Sequence, residues 1–290
     1  MNRLTLETAD GLLAETELRR SGRIDLSGVV EFDPYGLLLV ALIVAHHRER
    51  GTHLPILWPR THSARTALES MGLHHATGRR GMSDVAPSPD RIPVETIDDE
   101  ATISAIVGRF DERLLERYPL TAGSRRRLTK VLLELFQNIP HHSNATGEIA
   151  DPMGRAAMMD SDREIHLAVV DKGIGLRRSL GLRAGFEGIS DEDALDRIVF
   201  AGVSRHLDPG HGGELRRIAE LVRLWDGTLA VRSGEAVLFM DAERGDIYDS
   251  PPFPGVQIGL RLPRRVLGVE EAPVDDGPFS GFNEPRDVHS

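Results

Sequence analysis

Apolar and polar positions along the chain fall into blocks with two different periods. "RIDLSGVVEF", residues 23–32, places Ile24, Leu26 and Val29 between polar positions and predicts a strand, with Gly28 a site for a bulge. "DPYGLLLVALIVAHHRERG" follows and predicts a helix: Asp33 can cap it, Pro34 suits the first turn and Gly51 can end it. "THLPILWP" reads as a second strand, and "THSARTALESMGL" as a second helix closed by Gly72. Strand, helix, strand, helix predicts a small α/β domain with a partly parallel sheet over residues 1–80. Residues 76–93 mix Gly, Pro, Ser and Asp without periodicity, so a linker is expected at 81–93.

A second pattern begins near Val94. "DDEATISAIVGRFDERLLERY" is helical, with an acidic first turn suited to the helix dipole. "TAGSRRRLTKVLLELFQNI" predicts a helix from an N-cap at Ser124, with Leu128, Leu132, Leu135 and Ile139 on one stripe. Pro140 removes a backbone donor and should kink or stop that helix just after Asn138. "EIHLAVVDKGIG" is a strand running into a glycine turn, and residues 190–202 a capped helix. "GHGGELRRIAELVRLWDG" is a glycine turn opening a helix, with Leu215, Ile218, Leu221 and Trp225 inward. "TLAVRS", "EAVLFMD" and "VQIGLRLP" alternate as antiparallel strands. The expected class is therefore α+β in two domains. The second, residues 94–268, would be an α/β sandwich with helices on one face of a mixed, mostly antiparallel sheet. Residues 269–290, rich in Asp, Glu, Pro and Gly, predict a disordered acidic tail.

Composition narrows the function classes. The net charge of −10 argues against a general nucleic-acid binder, which needs clustered Lys and Arg for phosphates. There is no cysteine, hence no disulfide, thiolate metal site or thiol nucleophile. The first twenty residues lack the apolar core of a signal peptide. The longest apolar run, Leu37 to Ala45, is far shorter than the ~20 residues that span a bilayer. A cytoplasmic address without membrane association is expected. Basic residues are almost all arginine; the two lysines are Lys130 and Lys172.

Three motifs carry candidate chemistry. Glu134 and Asn138 stand four apart on a helix and so point the same way. An Asn oxygen can hold a magnesium ion that also binds phosphates, and a carboxylate can orient or deprotonate the attacking group. A solvated helix face could carry the same two residues. Asp171-Lys172-Gly173-Ile174-Gly175 follows a strand. It places a carboxylate at the sheet edge, able to accept a hydrogen bond from an adenine amino group, and lets backbone approach a flat ligand. An ordinary turn has the same composition. Lys172 would face solvent or reach a phosphate. Gly210-His211-Gly212-Gly213 opens a helix, where successive N–H groups can cradle phosphate; a flexible loop is the alternative. His141 and His142 suit a helix C-terminus, where the dipole favours cations.

Taken in order, these motifs resemble the histidine-kinase-type ATPase (Bergerat) domain of the GHKL superfamily, which includes gyrase, the mismatch-repair ATPases and the anti-sigma-factor serine kinases. "ELFQNIPHHS" is similar to its N box, "DKGIG" to its first glycine box and "GHGGEL" to its second. "AGVS", residues 201–204, falls where the mobile lid precedes the second box, and the likeness spans roughly residues 121–263. The resemblance implies ATP and Mg²⁺ as cofactors. Glu134 would be the catalytic base, Asn138 the Mg²⁺ ligand and Asp171 the adenine contact. Gly173 and Gly175 would shape the pocket, while Gly210, His211, Gly212 and Gly213 would close over the phosphates. Gly213 and Glu214 stand where the family has Leu and Gly, so Glu214 adds negative charge beside the phosphates.

Residues 24–59 resemble STAS-type domains, the sulfate-transporter and anti-sigma-antagonist fold. The antagonists carry a phosphoacceptor Ser or Thr just before the helix glycine; here Tyr35 precedes Gly36, so that switch is absent. The expectation is an ATP-binding regulatory protein that transfers the γ-phosphate to a protein Ser or Thr or hydrolyses it. The alternative is a catalytically weak, nucleotide-dependent switch with a lid over residues 176–213. Expected partners are the nucleotide and a regulatory protein target, with a homodimer left open.

Overall fold

The computed structural model describes residues 1–18, 22–78, 86, 88–97, 99–118, 120–142, 153–161, 163–205 and 213–266. Its N-terminal part comprises β1 (Arg3–Leu4), α1 (Ala9–Leu18), β2 (Ile24–Asp25), β3 (Glu31–Phe32), α2 (Pro34–Glu49), β4 (Ile56–Leu57), α3 (His62–Ser70) and α4 (Leu73–Ala76). There follow β5 (Arg91–Ile97), α5 (Glu100–Arg117), α6 (Ala122–His142), β6 (Gly154–Asp160) and β7 (Glu164–Val170). The chain continues through α7 (Gly175–Gly181), α8 (Asp191–Val199), α9 (Glu214–Leu224), β8 (Thr228–Met240) and β9 (Gly245–Pro263).

The main sheet has the order β5-β6-β7-β9-β8. All of its pairings are antiparallel, so it is not mixed. Successive side chains of a strand point to opposite faces, and both faces here are apolar. Ile165, Leu167 and Val169 of β7 face a core shared with α5, α6, α8 and α9. Ala168 and Val170, with Ala157 of β6 and Ala230 of β8, face the N-terminal residues. Helices therefore cover both faces, where the pattern had predicted one. The cause lies in α2, whose residues Pro34 to Ala45 are all buried. A helix apolar all round has to be enclosed on every side, and the small Ala side chains of the outer sheet face let it approach. Gly259 of β9 sits at that contact; a Cβ there would lie 2.3 Å from Leu6 Cδ1. Burial of a Leu, Ile or Val side chain contributes roughly 1.5–3 kcal/mol, so Leu37 to Val44 bind the N-terminal segment firmly to the sheet. Tyr35 is only 3% exposed, out of reach of a phosphate donor.

Three sets of ions pin the same contact: Arg232 pairs with Asp10, Arg261 with Glu7 and Asp33, and Lys172 with Glu49. Asp33 also caps α2, accepting from Gly36 N–H at 2.9 Å. The N-terminal strands form two parallel pairs, β1 with β3 and β2 with β4; the turn at Ser27–Gly28 divides what reads as one strand. β5 begins at Arg91, within the stretch expected as linker.

Two helix boundaries differ from expectation. Thr121, rather than Ser124, caps α6, its Oγ1 accepting from Ser124 N–H at 3.1 Å. The helix also runs through Pro140 to His142. A proline's fixed φ is itself helical, and at this position only the last turn loses a bond. Residues 267–290, which include the acidic tail, lie outside the described residues. No helix among those described is long and apolar enough to cross a membrane.

Candidate functional site

A concavity lies between α6, the turn after β7, α7 and α8, and the start of α9. Asn138, Asp171, Gly175, Gly213 and Glu214 line it, so residues from all three motifs meet in one pocket. Leu135, Ile139, Val169, Ile198, Val203, Leu215 and Ile258 supply apolar walls. A mostly apolar cleft with a few placed polar groups is the usual form of a small-molecule site.

Asp171 sits on the floor, 5% exposed. The chain leaves β7 there and folds back so that Gly173 N–H donates to Asp171 Oδ1 at 2.6 Å. Val256 N–H donates to the same oxygen at 3.3 Å. Burial pushes the Asp171 carboxyl up to about 7, against those two backbone hydrogen bonds, which lower it. Among the described residues, the groups that lower it are those two backbone donors. Gln257 Nε2 fixes the Asp171 carbonyl at 3.1 Å. Gly255 makes room for the turn: its φ is +82°, and a Cβ would lie 2.1 Å from the Asp171 carbonyl oxygen. Gly175, with φ +77°, opens α7, and Ser233 Oγ accepts from Leu176 N–H at 2.8 Å.

Asn138 lines the pocket from α6, and its Nδ2 is buried without a hydrogen-bond partner among the described residues. A buried amide donor left unpaired costs about 1–3 kcal/mol, so an acceptor belongs beside it. Gly213, at φ +74°, turns the chain into α9. Gly210, His211 and Gly212 lie outside the described residues.

Glu134 does not face the pocket with Asn138. Its Oε1 accepts from Arg217 Nε of α9 at 3.0 Å. The Arg217 guanidinium also lies 3.7 Å from Glu214, forming a carboxylate–guanidinium–carboxylate bridge at the pocket's edge. Burial raises the Glu134 carboxyl above its ordinary value and Glu214 adds to this, while Arg217 and Lys130 pull it down. Lys172, expected to face solvent or a phosphate, is instead buried and directed away from the pocket to Glu49. Arg217 and Glu49 have no signature in the sequence beyond charge. Arg217 could have been anticipated only as one turn into the helix after the glycine motif. Arg205 also lines the pocket, and burial lowers its pKa.

Among the described residues no group of three His, Asp or Glu side chains is placed to hold a metal ion alone. A magnesium site here would need ligand oxygens beside Asn138. No protein-family profile matches the chain, and no curated protein matches it. Among solved structures, the chain is similar to the SiaB–SiaC complex from Pseudomonas aeruginosa. The identity is 16% over 60% of this chain and 91% of that one, with a TM-score of 0.34. It is also similar to the histidine kinase domain of a blue-light activated histidine kinase from Erythrobacter litoralis EL346. That identity is 12% over 91% of this chain and 98% of that one, with a TM-score of 0.30. Likenesses of this size leave the reading of the site to its own geometry.

Proposed function

We propose that the pocket binds a purine nucleotide, ATP or ADP, as the sensing or catalytic element of a GHKL-type regulatory protein. The observation that carries this reading is the meeting of Asn138, Asp171 and Gly213 in one pocket, from three motifs far apart in sequence. Asp171 accepts the exocyclic amino group of adenine at the closed, apolar end. Gly213 and the start of α9 face the phosphates, with the helix dipole favouring anions there. The unpartnered Nδ2 of Asn138 could donate to a phosphate oxygen, and its Oδ1 could hold a magnesium ion bound with that phosphate. Mg²⁺, when bound, would neutralise phosphate charge. The N-terminal segment, STAS-like in its motif, is the regulatory part, and a protein target is its partner.

Of the two modes, a binding switch has the more specific support: Glu134, the residue expected to act as base, is tied to Arg217, and Glu214 brings negative charge to the phosphate end. Phosphoryl transfer to a protein Ser or Thr, or hydrolysis, requires Glu134 to leave Arg217. Calorimetric titration with Mg-ATP and Mg-ADP, followed by an assay for ADP release and γ-phosphate labelling, tests both. Binding without turnover supports the switch and turnover supports the enzyme. Absence of binding overturns the nucleotide reading.

A further inference from the structure

The last turn of α2 holds the Asp171 turn from behind. Lys172, one residue past Asp171, has a side chain 5% exposed, and its ammonium pairs with Glu49, whose side chain is 52% exposed. Glu49 is the last residue of α2. A carboxylate at a helix C-terminus opposes the helix dipole, so this position is unfavourable unless a cation meets it. One turn earlier, the His46 ring packs on Phe253 with centroids 5.7 Å apart. Phe253 begins the segment that grips Asp171 from the other side. There Gly255 closes on the Asp171 carbonyl, Val256 N–H reaches the Asp171 carboxylate, and Gln257 Nε2 bridges the carbonyls of Asp171 and Pro254, at 3.1 and 2.9 Å. The end of α2 thus touches both halves of the clamp around the pocket's floor.

We propose that Glu49 is a positioning residue for base recognition, acting through Lys172 on Asp171, and that this contact couples the N-terminal segment to nucleotide occupancy. The inference rests on the nucleotide reading above. Removing the Glu49 charge leaves the Lys172 ammonium buried and uncompensated. The ammonium must then move toward water, and it carries the backbone between Asp171 and Gly173 with it. By reciprocity of linkage, a base seated on Asp171 must strengthen the Glu49–Lys172 contact by the same factor.

The test uses the full chain. Affinities for Mg-ATP and Mg-GTP are measured for the wild type, Glu49→Gln, Lys172→Met, the double variant, and the charge-reversed pair Glu49→Lys with Lys172→Glu. Glu49→Gln should weaken ATP binding about tenfold, within the range of ordinary coupling energies, while GTP binding changes little. In the Lys172→Met background the Glu49 change should have no further effect, and the reversed pair should recover discrimination. Hydrogen exchange of residues 46–52 in the wild type should slow when Mg-ATP is added, a readout that needs no variant to fold. If the wild type binds neither nucleotide, the nucleotide reading fails and this proposal with it. If the wild type binds ATP and Glu49→Gln keeps its affinity and its preference over GTP, only the proposal is overturned. Equal loss for both nucleotides, or unchanged exchange at 46–52, also overturns it.

Discussion

Arg217 on α9 donates to Glu134 on α6 at 3.0 Å and lies 3.7 Å from Glu214 on its other side. One guanidinium thus joins the helix bearing Asn138 to the helix that opens at the pocket's phosphate end. Replacing Arg217 by Met leaves Glu134 partly buried without its main counter-charge. Its carboxyl, already raised by burial, should rise further. A group with a raised folded-state pKa contributes stability at low pH that is lost as pH rises through that pKa. Arg217→Met should therefore steepen the fall in stability from acid to neutral pH and cost about 1–3 kcal/mol at pH 7. Denaturant melts at pH 5 and pH 7, with the Glu134 carboxyl followed by carbon NMR, check this. An unchanged titration would show that the bridge contributes nothing.

Asp171 sets the pH dependence of binding. Its carboxyl is pushed up to about 7 by burial, so it exchanges its proton near neutrality. The unfolded chain ionises nearer 4, so this group's contribution to stability is present below that value and is lost as pH rises toward 7. An adenine amino group donates to the carboxylate, so ligand binding favours the ionised form. Nucleotide affinity should accordingly increase between pH 6 and pH 8, with a proton released on binding. In Asp171→Asn the pH dependence should vanish, and Asp171→Ala should abolish binding. Calorimetry in two buffers of different ionisation enthalpy measures the proton directly.

Legibility in the sequence followed the range of the interactions. Local signals read well: the buried stripe of α6, the capped α2 and the glycine at the start of α9 all depend on residues within a few positions. β5 and β6 carry mixed patterns, such as "GRAAMMD", that become strands only through pairing, β6 with β7 and β5 with β6. β9 extends back to Gly245 because β8 runs beside it, so "GDIYDSPPFPG" is strand by partnership rather than propensity. Asn138 and Asp171 were legible as motif residues. The turning of Glu134 to Arg217, and of Lys172 to Glu49, was not, because each depends on a partner charge far along the chain.

Gly255 tests how tightly the pocket floor is built. In Gly255→Ala the new Cβ would fall 2.1 Å from the Asp171 carbonyl oxygen and 2.7 Å from Lys172 Cα, both backbone atoms, at a φ of +82°. The strand ends must separate, at a cost of roughly 3 kcal/mol or more. Gly188 also has positive φ, at +78°, but meets nothing within 4 Å, so Gly188→Ala should cost only about 1–2 kcal/mol. Thermal melts of the two variants measure the difference. Near-equal losses would mean that backbone conformation, not the contact with Asp171, dominates at Gly255.

The enclosure of α2 leads to a prediction about the whole chain. Its apolar side chains share a core with Ala157, Ala168, Val170 and Ala230 of the main sheet, and ion pairs from Arg232, Arg261 and Lys172 cross the same boundary. A protease site inserted between Met82 and Ser83 should therefore yield two fragments that co-elute in gel filtration and separate only in denaturant. Residues 86–266 expressed alone should aggregate, since the outer sheet face and Phe253 would meet water over an apolar patch larger than soluble surfaces tolerate. Co-expression with residues 1–78 should restore solubility. Gly259→Val should weaken the nicked complex sharply, because the larger side chain meets Leu6 and Tyr35 across the contact. If the cut fragments part spontaneously, the N-terminal segment is not held to the sheet by this core.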